Sequence, residues 1–217
     1  MGLPQQSKRV PETMNKKRLT AEERRRQIVK VAMRLFSMRG FKGTTTREIA
    51  ERAKISEATI FKHFAKKEHL YSAIIDMQCN DREGQSLLVK RLEGKDGREA
   101  FMAIALFLLQ THQKDPTFMK LLMFSALEGH KLSDIFIKTR GLETLDYLAG
   151  YIAKLVKDGT FKKMDTRLAA RAFLGMIVHY SMMQEIYGMK KFLKIPPQKT
   201  ADTFVEIFFE GMKRRRV

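Results

Sequence analysis

Thr59, Lys62 and His63 alternate with Ile60 and Phe64 in one short stretch of this chain. On a helix, residues four apart share a face, so Ile60 and Phe64 point inward together and the three polar residues turn outward. A hydroxyl, an ammonium and an imidazole along one exposed helix face can hydrogen-bond to phosphate oxygens and base edges. A little earlier, Thr44 to Thr46 lie where another helix begins, and its free backbone N–H groups suit a phosphate. Two elements must position these groups. Thr45 and Glu48 form a capping box ahead of Ile49, Ala50 and Ala53, an apolar stripe. Ser56 is a good N-cap for the second helix. Two short helices joined by a tight turn, the second with a polar outer face, have the shape of a helix-turn-helix. An ordinary helical hairpin with a solvated basic face fits the same local pattern.

The order of residue types goes further than the pattern. Phe36-x-x-x-Gly40-Phe41 is followed by Thr45-Thr46-x-x-Ile49-Ala50, then Ser56-x-x-Thr59-x-Phe61-x-x-Phe64, then Lys67-Glu68. From Thr20 to about Leu70 this closely resembles the DNA-binding domain of the TetR family of bacterial transcriptional regulators. Two departures stand out. Lys54 occupies the turn where Gly is usual, and a left-handed backbone there costs a non-Gly residue about 1 kcal/mol. Phe61 replaces a frequent Tyr, so a hydroxyl contact to phosphate is lost. The resemblance implies that Thr59 and Lys62 lie at or near base edges. Thr45, Thr46, Arg47, Phe61, His63 and Lys67 would mostly hold the DNA backbone, Lys67 by matching a phosphate-contacting Lys of the family.

Charge is distributed as a DNA reader needs. Of the net +18, residues 1–67 carry +12, from 18 Lys and Arg against 6 Glu; residues 68–217 carry +6. The positive field is therefore concentrated on the first third of the chain. A single cysteine, Cys79, excludes an intramolecular disulfide or a cysteine zinc cluster and suits a reducing cytoplasm. The longest apolar run, Ala100 to Leu109, is about half of a membrane span. The N-terminus lacks a signal-peptide core, and Gln6 breaks a myristoylation pattern. No zinc-protease, nucleophile-elbow, phosphate-loop or dinucleotide motif occurs, so no enzyme, cofactor or metal is expected.

Taken in order, residues 1–19 read as a disordered basic arm broken by Pro4 and Pro11. Lys8, Arg9, Lys16, Lys17 and Arg18 could lie along DNA, or the arm could serve solubility alone. Thr20-x-x-Glu23 caps a first helix that ends at Gly40. A fourth helix runs from Lys66 and Lys67 to about Asn80. Gly84 and the run Glu93 to Gly97 mark a loop and domain boundary. Beyond it the spacing predicts helices over Ala100–Leu109, Phe118–Leu127, Leu132–Val156 with interruptions at Gly141 and Gly150, Thr166–Tyr187 and Gln198–Met212. The phrase Asp165 to Gly188 weakly resembles the penultimate helix of TetR regulatory domains.

The expected fold is all-α: a three-helix helix-turn-helix domain over 20–67 and a helical ligand-binding and dimerisation domain over 68–217. The last two helices are too apolar for a surface, which points to a twofold dimer face built from Phe173, Gly175, Ile177, Phe204, Val205, Phe208 and Phe209. A larger monomer core is the competing reading. The resemblance implies an effector cavity, for which Phe107, Phe118, Met123, Tyr147, Phe173, Met176 and Tyr180 supply an adaptable Met-rich and aromatic lining, with Phe101, Met119 and Phe124 beside them. Plain core packing explains each of these equally well. The expected partners are double-stranded DNA with a palindromic operator, a small apolar or aromatic effector and a second copy of the chain. Two alternatives stay open: a nucleoid-type binder without sequence preference, and a helical enzyme or carrier.

Overall fold

The computed structural model describes residues 19–80, 90–95 and 97–214; the basic arm through Arg18, Gly84 and the last three residues lie outside them. The described residues are mostly helical, and Phe161 and Lys213 pair in an isolated bridge. The elements are α1 (Ala21–Arg39), α2 (Thr46–Ala53), α3 (Glu57–His63), α4 (His69–Cys79), α5 (Gly97–Lys114), α6 (Thr117–Leu127), α7 (Lys131–Phe136), α8 (Leu142–Lys157), α9 (Thr166–Glu185) and α10 (Pro197–Met212).

Local chemistry sets these boundaries. Thr20–Glu23 and Thr45–Glu48 both form reciprocal capping boxes, and Ser56 and Asp165 cap α3 and α9 through their side chains. Gly40 ends α1 at φ 72°, and a Cβ there would meet the Glu128 carboxylate at 1.9 Å. Only glycine fits a site with both that backbone and that neighbour. The long helix expected over Leu132–Val156 keeps a helical backbone through Gly141, where Ile137–Gly141 widens into a π-turn instead of breaking. It runs unbroken through Gly150, because an exposed helical glycine costs only about 1 kcal/mol.

Two buried clusters hold the chain together. In one, Phe101 stacks on Phe208 at 5.2 Å and meets Phe173 and Phe209 edge-on, joining α5, α9 and α10. The other gathers Ile28, Phe36, Ile49, Ile60, Phe64, Leu70 and Tyr71 from α1 to α4. It also takes in Leu121 of α6 and Leu132 of α7, so it reaches across the sequence division at residues 67 and 68.

Candidate nucleic-acid interface

α2 and α3 are fixed to α1 by polar braces as well as by their apolar faces. Gln27 of α1 donates to the carbonyl of Ala53 at 3.0 Å, and Arg39 pairs with Glu48 at 2.7 Å. The Thr46 hydroxyl donates to Glu57, tying the start of α2 to the start of α3. Lys54, in the turn, adopts φ 55° and ψ 47°, the left-handed conformation that its position demands.

The exposed face of α3 then carries Phe61, about half exposed, and Lys62 beside it. Thr59 is half-buried with its hydroxyl 2.9 Å from that of Ser56, and His63 is half-buried at the helix end. Thr45 is exposed but caps α2, holding the Glu48 carboxylate below the usual carboxylate range through its backbone N–H. Arg47 is exposed and pairs with Glu51 at 3.2 Å, an arrangement of small energetic weight in water. The eight residues expected at DNA therefore fall into three groups. Phe61, Lys62 and Arg47 face outward, Thr59 and His63 are half-buried on α3, and Thr45, Thr46 and Lys67 are engaged in building the unit.

Lys67 is the clearest case. Its ammonium donates to the carbonyls of Phe41 and Thr44, each at 2.8 Å, and sits 3.9 Å from the centre of the Phe41 ring. Burial pushes this ammonium below its ordinary pKa, against the pull of Glu68, Glu128 and Glu48. Lys67 thus clamps the turn that launches α2.

The same turn is gripped from the far side. Glu128, at the end of α6, accepts the Phe41 N–H at 3.0 Å, and His130 lies 4.0 Å from the Phe41 ring and 4.8 Å from Tyr71. Burial lowers the His130 pKa, opposed by Glu128 and Glu68 and reinforced by Lys67 and Lys42. It raises that of Tyr71, whose hydroxyl has no partner among the described residues. Sequence reasoning missed Glu128 and His130. They lie 87 residues and more from the turn they hold, and no local periodicity marks them.

Away from the reader, Phe107, Tyr147, Phe173, Met176 and Tyr180 of the residues expected to line one cavity belong to or pack against the α5–α9–α10 cluster, whereas Phe118 and Met123 lie outside it. Phe107 packs beneath Arg91 at 4.8 Å, Phe118 meets Phe136 edge-on in the N-terminal cluster, and Tyr147 lies beside Tyr151. Met123 is half-buried on α6 and Phe173 is fully buried. Met176 lines an outer apolar groove of about 390 Å³ between α9 and α10, and Tyr180 lines a different cavity. Of the residues expected at a dimer face, Phe173, Ile177, Val205, Phe208 and Phe209 are buried in the chain's own core, and Phe204 packs on Tyr180. Gly175 is half-buried with open space around its Cα. α9 is apolar on two sides: the inner side fills the core, while the outer side presents Leu168, 67% exposed, near Ile207 of α10, 57% exposed. Among the described residues, no cluster of His, Cys, Asp and Glu could hold a metal ion, and no helix is long and apolar enough to cross a membrane.

Comparison with known proteins agrees with this geometry. Residues 28–74 match the family described as bacterial regulatory proteins, tetR family, and residues 102–211 match the AefR-like transcriptional repressor C-terminal domain. The chain is 26% identical over 192 residues to the HTH-type transcriptional regulator YvkB of Bacillus subtilis, covering 86% of this chain and 96% of that one. Among solved structures, AibR in complex with isovaleryl coenzyme A and operator DNA superposes with a TM-score of 0.68 at 23% identity, over 86% of this chain and 98% of AibR. A putative fatty acid metabolism regulator of Clostridium perfringens gives 0.71 at 16% identity, over 87% and 100%. These two likenesses show the fold.

Proposed function

The chain belongs to the TetR family of bacterial regulatory proteins and is a transcriptional regulator; from that premise we propose that it is a repressor that reads a palindromic operator as a homodimer and leaves it when a small effector binds. The observation that carries the reading is the α3 face, where Phe61 and Lys62 stand exposed on a helix braced from α1 and α2. Such a helix can enter a major groove while Arg47, Lys62 and His63 meet phosphates and Thr59 and Lys62 approach base edges.

Residues 20–67 act as the reader and 68–217 as the regulatory part. The outer apolar side of α9 and α10 supports dimerisation, with Leu168 and Ile207 as its exposed anchors. Twofold symmetry would set the two α3 helices about 34 Å apart, in successive major grooves. Effector binding acts by favouring a dimer in which that spacing no longer fits. AibR, a neighbour in fold, was crystallised with isovaleryl coenzyme A and operator DNA, which supports a small-molecule effector here. Phe107, Tyr147 and Met176 pack on one apolar cluster and Phe118 on the other, so Phe118 lends no support to a shared apolar cavity.

Selection of bound sequences from a random DNA pool tests the reading. An inverted repeat whose half-sites are centred about one helical turn apart is the expected outcome. Enrichment of no motif, with uniform retention of DNA, would replace the operator reader by a sequence-indifferent binder.

A further inference from the structure

Ser181 and Gln184 lie three residues apart on α9, hence on one helix face, and are 3% and 6% exposed. Neither Ser181 Oγ nor Gln184 Oε1 has a hydrogen-bond partner among the described residues. Buried polar atoms are normally paired, and two unmet ones side by side point to something polar held between them. Both residues line one cavity of about 30 Å³, room for a single water or a hydroxyl-sized group.

The rest of the lining states what such a group would be attached to. The Thr200 hydroxyl donates to the Pro196 carbonyl at 3.2 Å, which leaves Thr200 Oγ1 to accept from the Tyr180 hydroxyl 3.3 Å away, so Tyr180 forms a wall whose proton is already used. At the rim, Lys190 is paired with Glu185, so these two charges cancel. Lys194 is exposed and forms no ion pair among the described residues, which leaves one uncompensated cation at the mouth. Leu109 of α5 and Ile195 supply an apolar wall. A hydrogen-bonding floor, one spare positive charge and a short apolar wall match three parts of one small molecule.

We infer that this chamber is the effector site and that its ligand is a small aliphatic hydroxy acid. The ligand hydroxyl enters the cavity, donates to Gln184 Oε1 and meets Ser181 Oγ. The carboxylate lies toward Lys194, and the hydrocarbon lies against Leu109 and Ile195. This rests on the reading of the chain as an effector-responsive regulator.

Titration calorimetry of the full chain with 3-hydroxybutyrate tests it, with butyrate and 2-butanol as analogues lacking the hydroxyl and the carboxylate. Saturable binding of the hydroxy acid at one site per chain is expected, with each analogue about tenfold weaker or worse. Gln184→Leu and the exposed Lys194→Ala should each weaken the hydroxy acid about tenfold, with thermal melts confirming that the variants fold. No saturable heat from the folded protein, or equal affinity in Lys194→Ala, would overturn the assignment and leave Ser181 and Gln184 bridged by a structural water only. A gel shift of the same preparation without ligand separates the two readings. Operator binding without hydroxy-acid binding removes the ligand class alone, and hydroxy-acid binding without any operator removes the effector role.

Discussion

Replacing Lys67 by Met keeps the unbranched stem and removes the ammonium, which makes it the sharpest probe of the turn ahead of α2. Two hydrogen bonds of 2.8 Å, to the carbonyls of Phe41 and Thr44, would be lost together with the contact to the Phe41 ring. A hydrogen bond from a charged group is worth about 1.5–3 kcal/mol net, and an ammonium over an aromatic ring about 0.5–1 kcal/mol. The ammonium is itself partly desolvated, as its lowered pKa shows, and that penalty offsets part of the gain. The expected loss of unfolding free energy is therefore about 2–4 kcal/mol, measured by urea denaturation followed by circular dichroism. Operator affinity should fall because α2 loses its anchor, while the slope of log affinity against log salt stays where it was. A direct phosphate contact has the opposite signature: the slope flattens by about one contact, and stability moves by less than about 0.5 kcal/mol. That second pattern would refute the clamp and return Lys67 to the phosphate set.

Lys62→Ala should weaken binding and reduce the salt slope by about 1, since Lys62 stands exposed on α3; an unchanged slope in a salt series would remove it from the backbone contacts. Lys54→Gly should raise stability by up to about 1 kcal/mol in denaturant titration, because it relieves the left-handed backbone at φ 55°. Ile207→Glu, on the outer side of α10, should convert two-chain particles to single chains in light scattering, with the helical circular dichroism retained. His112 is held below its usual pKa by burial, with Glu185 opposing, so the fold keeps it neutral. Its contribution is fully present above the ordinary value of about 6.5 and is lost as pH falls toward the folded value. Urea midpoints at pH 7.5 and pH 5 should therefore diverge less in His112→Gln than in the parent. His130 titrates in the same direction and leaves a residual pH dependence.

What could be read from the sequence was local. Thr20, Thr45 and Ser56 announce their helices because an N-cap needs only its own next three residues. Gly40 and the left-handed Lys54 follow from the same short-range geometry. The clamp by Lys67 could not be read this way: a lysine after a helix-turn-helix suggests phosphate, and only the fold shows its ammonium turned back onto Phe41 and Thr44. Glu128 and His130 were invisible for a stronger reason, since their contact with the turn depends on α6 packing against α1. On α9 the apolar count was correctly too high for one face, but periodicity does not say which side meets the core. Phe173 and Ile177 went inward and Leu168 outward, and that choice was made by α5 and α10. The effector lining is subject to the same ambiguity, because Met and aromatic side chains suit a packed core and a cavity equally.

Sequence-specific DNA reading is the central claim, and a competition gel shift tests it most directly. The purified protein would be incubated at about 0.15–0.2 M salt, which suppresses much of the purely phosphate-driven binding, with DNA from its own upstream region or a shuffled control. Retention of the upstream fragment against an excess of the control, by a factor of about 10³ or more, is the expected result. Equal retention of both fragments would contradict it and leave only a basic surface that holds any DNA.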